Sequence, residues 1–503
     1  MRRRTFLKAG LVSVSALVAA GGGAFGWAWL SSTAGNVGEL TFDRPLRIPP
    51  LLEGSSFDLK LQAGISELRP GVKTSTWGVN GPHLGPTLRV RRGETVAPQV
   101  RNALPEATSV HWHGMRLPAV MDGGPHQMIA PGSTWKPTWK IDQPAATLWY
   151  HPHLHGTTAR HVYQGLAGLF LIDDEHTTKL PHEYGVDDIP LIIQDATFDG
   201  DGSLTLDNFG MSMLPGMDLM GFLGKEVLVN GTLGPAFKVT TTRVRLRLVN
   251  ASVGRIYHVG FADDREFALV ATDGGLVGKP VRLKRVLLAS GERAEVVVDF
   301  RPGDQVVLRS FTAELGGGTA LDRFTGGADV FDLMKFTAPG PLAESVAVPP
   351  RLADVPAPVV PPNAKTRTFR FSSTSINGKE MDLARIDEVV PAGAVEVWEL
   401  TNPSTNHSFH VHEVSFRILD VNGKPPAAYE AGRKDTVYVP PEGHVRLLVE
   451  FGDYTDPKAP YMYHCHMLVH EDKGMMGQFV IVEPGQESHV NTRLNLKDPH
   501  GSH

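Results

Sequence analysis

Four histidine pairs, each split by a single residue, hold the densest chemistry in this 503-residue chain. His111 and His113 lie in "HWHG", His151 and His153 in "WYHPHLHG", His410 and His412 in "HSFHVH", and His464 and His466 in "YHCHMLVHEDKGMMG". Along an extended strand alternate side chains share a face, so each pair aims two imidazoles in one direction. Neutral imidazole is a ligand for Cu, Zn, Fe and Ni. One such pair would pass for a polar pair near a sheet end. Four pairs give eight imidazoles with no carboxylate among them, too many for one ion, and imply a metal cluster.

Cys465, the only cysteine, sits between His464 and His466. It cannot form an internal disulfide, so it is either an inert buried residue or is kept for its chemistry. If the two histidines face the cluster, strand alternation turns Cys465 to the other side. His407, His470 and Met475 are its candidate partners there. One thiolate, two imidazoles and a weak axial thioether make a blue-copper electron-transfer site, whereas zinc prefers a closed Cys/His set and carries no electrons.

The elements that must place these residues recur along the chain. "PTLRVRRGETVAPQVRNALPEATSVHWHG", "KVTTTRVRLRLVNASVGRIYHVGF" and "VVPAGAVEVWELTNPSTNHSFHVH" share alternating strand patterning, an Asn, a turn and a histidine-bearing strand. A later block, "LWYHPHLHG…GLAGLFLIDDE", returns as "YMYHCHMLVHEDKGMMGQFVIVE", with only a weak counterpart in "GERAEVVVDF". Three all-β units are expected, each an antiparallel sandwich: 35–177, 178–350 and 351–485, followed by a polar tail, 486–503, without fixed structure. The Pro-rich stretch "VPPRLADVPAPVVPP" reads as a linker into the third unit. Where the third unit has Cys465 the first has Pro152, so the first cannot build a thiolate site. The middle unit keeps His258 without a pair and should bind no metal; His258 reads as an ordinary histidine.

The N-terminus, "MRRRTFLKAG" followed by a long apolar run, has the form of an export signal over 1–34, and the Arg pair before Thr5-Phe6-Leu7-Lys8 is of the twin-arginine type. The alternative is an uncleaved membrane anchor, since the run approaches spanning length. Removing the segment removes four cations and no acid, taking the net charge from -5 to -9. That balance leaves no basic footprint for nucleic acid. The 53 Gly and 38 Pro favour short strands and many turns over long helices.

At these motifs the chain resembles a bacterial three-domain multicopper oxidase, the group of laccases and copper-tolerance oxidases. The resemblance implies three cupredoxin-like Greek-key β-sandwich domains and four copper ions. It gives the type 1 copper to His407, Cys465, His470 and Met475, the type 2 copper to His111 and His410, and the type 3 pair to His113, His151, His153, His412, His464 and His466. It implies one-electron oxidation of a small reductant coupled to reduction of O2 to water, with Cys465 covalently linking the electron-entry copper to two cluster ligands. Asp122 and Glu471 match acids placed for proton delivery; their alternative is to orient a histidine as hydrogen-bond acceptors.

Phenols, aromatic amines or low-valent metal ions are the expected reductants, with cuprous ion in copper tolerance as the runner-up. The Met-rich insertion of copper-tolerance relatives is missing: "FSSTSINGKEMDLARIDEVV" holds only Met381, which leaves the type 1 edge open to organic reductants. Met211, Met213, Met217 and Met220 read either as flexible core filler or as a transient copper site. The Gly-rich "ELGGGTALDRFTGGAD" reads as a surface loop. A copper-free structural envelope protein on the same scaffold is the alternative of another class, set against twelve filled ligand positions. A monomer is expected, because three units supply both sites, and the location expected is the periplasm, cell envelope or exterior.

Overall fold

A computed structural model describes residues 33–206 and 221–496. The export segment, apart from its last two residues, and the Met211–Met220 group lie outside the described residues. Strand makes up 44% and helix 7% of the described residues. The protein is all-β, built as three cupredoxin-like sandwiches, each a pair of sheets closing on its own apolar core.

The strand Ser56–Arg69 opens with the exposed–buried alternation of a half-solvated sheet, its inward Phe57, Leu59 and Leu61 in the first core. The strand Ala146–His151 is instead buried on both faces. Ala146, Leu148 and Tyr150 fill the first core, while Trp149 packs with Ile192 and Val249 of the second unit. A strand buried along its whole length is therefore one trapped between two units.

The histidine pairs sit on sheets of matching order. In the first unit the strands run Leu51–Glu53, Thr87–Arg91, Gly168–Asp173, Ala146–His151, His111–His113, with His151 opposite His111. In the third they run Glu388–Pro391, Met476–Val482, Tyr461–Cys465, His407–Val411, Thr436–Val439, with His464 opposite His410. In each, a histidine strand pairs antiparallel with its neighbour, which pairs with a strand lying parallel to the next.

Three parts of the chain differ from the sequence reading. Residues 35–46, expected in the first unit, serve the second: Gly35 bridges Val330, Arg44–Pro45 pairs parallel with Pro235–Lys238, and Leu46 joins the second core. The polar tail is fixed as far as residue 496, because Ile386 N–H donates to the Thr492 carbonyl (2.9 Å), Leu494 N–H donates to that of Ala384 (2.7 Å), and Val490 and Leu494 pack on Val480 and Val482. The Gly-rich loop contains a helix, Gly318–Phe324. Asp322 accepts from Leu315 and Gly317 N–H at 3.0 and 2.8 Å and draws the loop into that turn. No helix among the described residues is long and apolar enough to cross a membrane.

Candidate metal centre

Strand alternation divides the third unit's ligand strand into two faces. Tyr461, Tyr463 and Cys465 point into the unit's own core, and His464 points the opposite way, toward the first unit. On the neighbouring strand Phe409 enters the same core and His410 lies on the cluster face. Cys465 Sγ lies 3.4 Å from His407 Nδ1 and 3.7 Å from His470 Nδ1, and the two nitrogens are 3.3 Å apart. His407 Nε2 bonds Ser404 Oγ at 3.0 Å, which leaves its Nδ1 lone pair facing the sulfur. Met475 is buried in the same core, and its carbonyl accepts the Cys465 N–H at 3.0 Å. Burial pushes the Cys465 thiol up to about 12, so only a bound cation would hold this sulfur as thiolate.

The eight paired histidines converge between the first and third units. His111 stacks on His412 at 3.8 Å between ring centroids, and His113 on His410 at 3.7 Å. His153, His412 and His464 bring three Nε2 atoms within 3.0 to 3.3 Å of one another. Their Nδ1 atoms face acceptors: Asp122 Oδ2 for His412 (2.6 Å), Glu471 Oε2 (3.1 Å) and the Cys465 carbonyl (3.2 Å) for His464, and Glu471 Oε1 for His153 (3.4 Å). With Nδ1 turned to these acceptors, the three Nε2 atoms converge on one another. His113, His151 and His466 form a second triple, and His111, His113 and His410 a third.

Seven of the eight imidazoles face their anchors through Nδ1. His111 donates to the Asp122 carbonyl (2.9 Å), His151 to that of Pro152 (2.8 Å), His410 to that of Asp435 (2.8 Å), and His466 approaches Ser290 Oγ at 3.3 Å. His113 is reversed: its Nε2 meets Asp435 Oδ1 and Thr436 Oγ1, each at 3.1 Å, and its Nδ1 faces His151 Nε2 at 3.3 Å.

This donor set fits copper on three grounds. The Nε2 atoms of His111, His410 and His466 are buried without a hydrogen-bond partner, a costly condition that a cation removes. Burial, reinforced by neighbouring imidazoles, holds His113, His151, His153, His407, His412, His464 and His466 well below the ordinary imidazole range, in the neutral form that ligates. All-imidazole groups beside a thiolate–imidazole group suit copper better than a hard cation.

Asp122 and Glu471, singled out in the sequence, both lie at the cluster. Each carboxylate touches two ligands: Asp122 reaches His111 and His412, Glu471 reaches His153 and His464. His258 belongs to none of these groups, its Nδ1 bonded to the Thr312 carbonyl at 2.8 Å. The expectation of an open type 1 edge is corrected. His407 and His470 are fully buried, and the Glu380–Met381 segment lies on Gly474, where Met381 N–H donates to the Gly474 carbonyl (2.9 Å).

Sequence reasoning missed Ser290, Arg293, Asp435 and Thr436. None lies in a histidine motif, and their role depends on how the units pack. Arg293, from the second unit, grips Asp435 with both terminal nitrogens at 2.5 and 2.6 Å. Burial opposes ionisation of Asp435, yet Arg293 and His113 hold its carboxyl well below the usual carboxylate range. Breaking a buried pair of this kind costs about 3–5 kcal/mol.

Family models described as multicopper oxidase match residues 61–177 and 354–485. The chain is 39% identical to a solved bacterial laccase-like multicopper oxidase, CueO from Ochrobactrum sp., with a TM-score of 0.78, over 87% of this chain and 100% of that one. The chain belongs to the multicopper oxidase family. A second solved multicopper oxidase, McoA from Aquifex aeolicus, is 30% identical with a TM-score of 0.77, over 87% of this chain and 99% of that one. Among curated relatives, the cell division protein FtsP of Photorhabdus laumondii is 36% identical over 88% of this chain and 93% of its own length. The multicopper oxidase scaffold thus comes with relatives of two descriptions, oxidase and cell division protein.

Proposed function

We propose that this family member is an exported, laccase-like oxidase that couples one-electron oxidation of phenolic, aromatic or metal-ion reductants to reduction of O2. The observation that carries the reading is the pair of faces on Tyr461–Cys465: a thiol with two imidazoles on one side, and a ligand of an eight-imidazole cluster on the other. We assign the type 1 copper to His407, Cys465, His470 and Met475, the type 2 copper to His111 and His410, and the type 3 pair to His113, His151, His153, His412, His464 and His466. Bound copper would supply the electron transfer, four electrons and four protons converting one O2 to two waters.

The chain's own groups orient and protect that chemistry. Asp122 accepts the His412 Nδ1 proton and Glu471 faces that of His464, which keeps both Nε2 lone pairs inward. The same carboxylates, buried beside the cluster, are assigned proton delivery to it. Cys465 joins the two sites through its own backbone. The Ochrobactrum relative, described with oxidase activity towards lignin model compounds and lignosulfonate, supports a phenolic reductant. Oxygen uptake by copper-matured protein, with a diphenol and Cu(I) as alternative reductants, tests this. A diphenol rate without added copper is expected; a rate with Cu(I) alone would make the protein a cuprous oxidase of copper tolerance.

A second reading has its own support, since the curated relatives are cell division proteins. On that reading the chain serves the division apparatus in the periplasm without needing copper. Restoring a division defect with a Cys465→Ser chain separates the two: full rescue favours the second reading, and no rescue by either chain removes it.

A further inference from the structure

The middle unit carries no histidine pair, yet its segment Ser290–Arg293 reaches both other units at the cluster. Ser290 Oγ lies 3.3 Å from His466 Nδ1, and the Ser290 carbonyl accepts from Ser408 Oγ at 2.7 Å. Gly291 has a φ of +89°, and a side-chain carbon there would stand 2.8 Å from the His466 ring. Arg293 donates to the Thr147 carbonyl of the first unit at 3.1 Å and to Asp435 of the third, so one guanidinium ties all three units beside His113.

The same pair accounts for a glycine. A side-chain carbon on Gly114, next to His113 and at a φ of +84°, would stand 2.6 Å from both Arg293 Nη2 and Asp435 Oδ2. The final residue of "HWHG" is bare because the arginine–aspartate pair occupies the space beside it.

We propose that Arg293 is a positioning residue for the cluster, acting through Asp435 to fix His113 in the reversed orientation that offers Nδ1 as donor. This inference rests on the copper reading and deepens it by giving the histidine-free unit a part in the cluster. Imidazole offers either nitrogen, and the partner of the other nitrogen decides which. Asp435 Oδ1 lies 3.1 Å from His113 Nε2, while Thr436 Oγ1 donates to the same oxygen at 2.8 Å. With both oxygens held by the guanidinium, the carboxylate cannot turn away. An Nε2–H facing it leaves the lone pair on Nδ1, directed at His151 and the cluster.

The test compares full-length wild type with the charge-neutral pair Arg293→Met/Asp435→Leu and with the milder Arg293→Lys, each matured in copper. Copper per chain is measured along a chelator series together with the blue thiolate-to-copper absorption. Loss of an outer hydrogen-bond partner lowers metal affinity about 10–100-fold. The paired variant should lose cluster copper at a chelator concentration lower by that factor while its blue band stays at wild-type intensity. Arg293→Lys, which keeps the charge but not the fork, should move in the same direction. Equal retention in wild type and Arg293→Lys overturns the inference, whether or not the paired variant folds. So does parallel loss of blue band and cluster copper, the mark of a general structural role. Wild-type protein that takes up no copper overturns the oxidase reading and this inference with it; wild type that fills beside variants that fill equally overturns the inference alone.

Discussion

The first and third units present equivalent strands to the same cleft and differ in what lies on the reverse of those strands. In both, a histidine on the central strand faces the carbonyl of the next residue: His151 that of Pro152 at 2.8 Å, His464 that of Cys465 at 3.2 Å. In both, the partner strand places another histidine directly opposite. The inner faces are equivalent halves of one cluster. On the core side of its strand the third unit has a thiol with His407 and His470, and at the matching sequence position the first has Pro152. A repeated scaffold thus brings two sets of paired histidines to one cleft, and only the third unit adds a thiol with two imidazoles on the reverse of its strand.

The comparison breaks most completely at Cys465. In Cys465→Ser the blue band and steady oxygen uptake should both vanish while cluster copper stays, read by absorption, an oxygen electrode and metal content. Turnover at the wild-type rate would show that the third unit's thiol is not the entrance for electrons. The two acids test whether the inner halves are equivalent in proton supply. Glu471→Gln and Asp122→Asn should each slow oxygen reduction by about 10²–10⁴-fold, the usual weight of a proton-transfer group, with copper content within twofold of wild type. A variant that loses its copper instead reveals a carboxylate that only orients histidines.

A smaller effect should follow at the seam between the halves. The carboxylate of Asp472, on the third unit's helix Leu468–Asp472, accepts from the N–H groups of Thr158 and Ala159 at 2.9 Å each, capping the first unit's helix Thr158–Tyr163. Asp472→Ala should cost about 0.5–2 kcal/mol in chemical denaturation, the range for a lost helix cap. The smallest effect sharpens the contrast most. Pro152→Cys places a thiol where the first unit lacks the equivalent of His407 and His470, so the blue absorption per chain should not rise. A second blue site there would mean that a cysteine alone suffices.

Local patterning made the donor atoms legible. The alternation His-x-His fixes which side chains share a face, and "HCH" then forces the sulfur to the reverse. The repeat of Asn-turn-strand blocks marked three sandwiches because each unit buries its own core. What escaped is what the packing of units decides. Arg293 and Asp435 are 142 residues apart and lie in no histidine motif; only docking of the middle unit brings them to His113. The tail through residue 496 and the strand Arg44–Pro45 are polar or short, and their fixed places come from backbone pairing with residues distant in sequence. The burial of His407 and His470 was also invisible, since it depends on how the third unit closes around them.

Copper content and visible spectrum of the wild-type chain, matured with copper and freed of loosely held metal, bear most directly on the central claim. Close to four coppers per chain with an intense blue band is the predicted result. A colourless chain, or one holding about a single copper, would contradict a metal centre shared between the first and third units and leave the cell division relatives as the better guide.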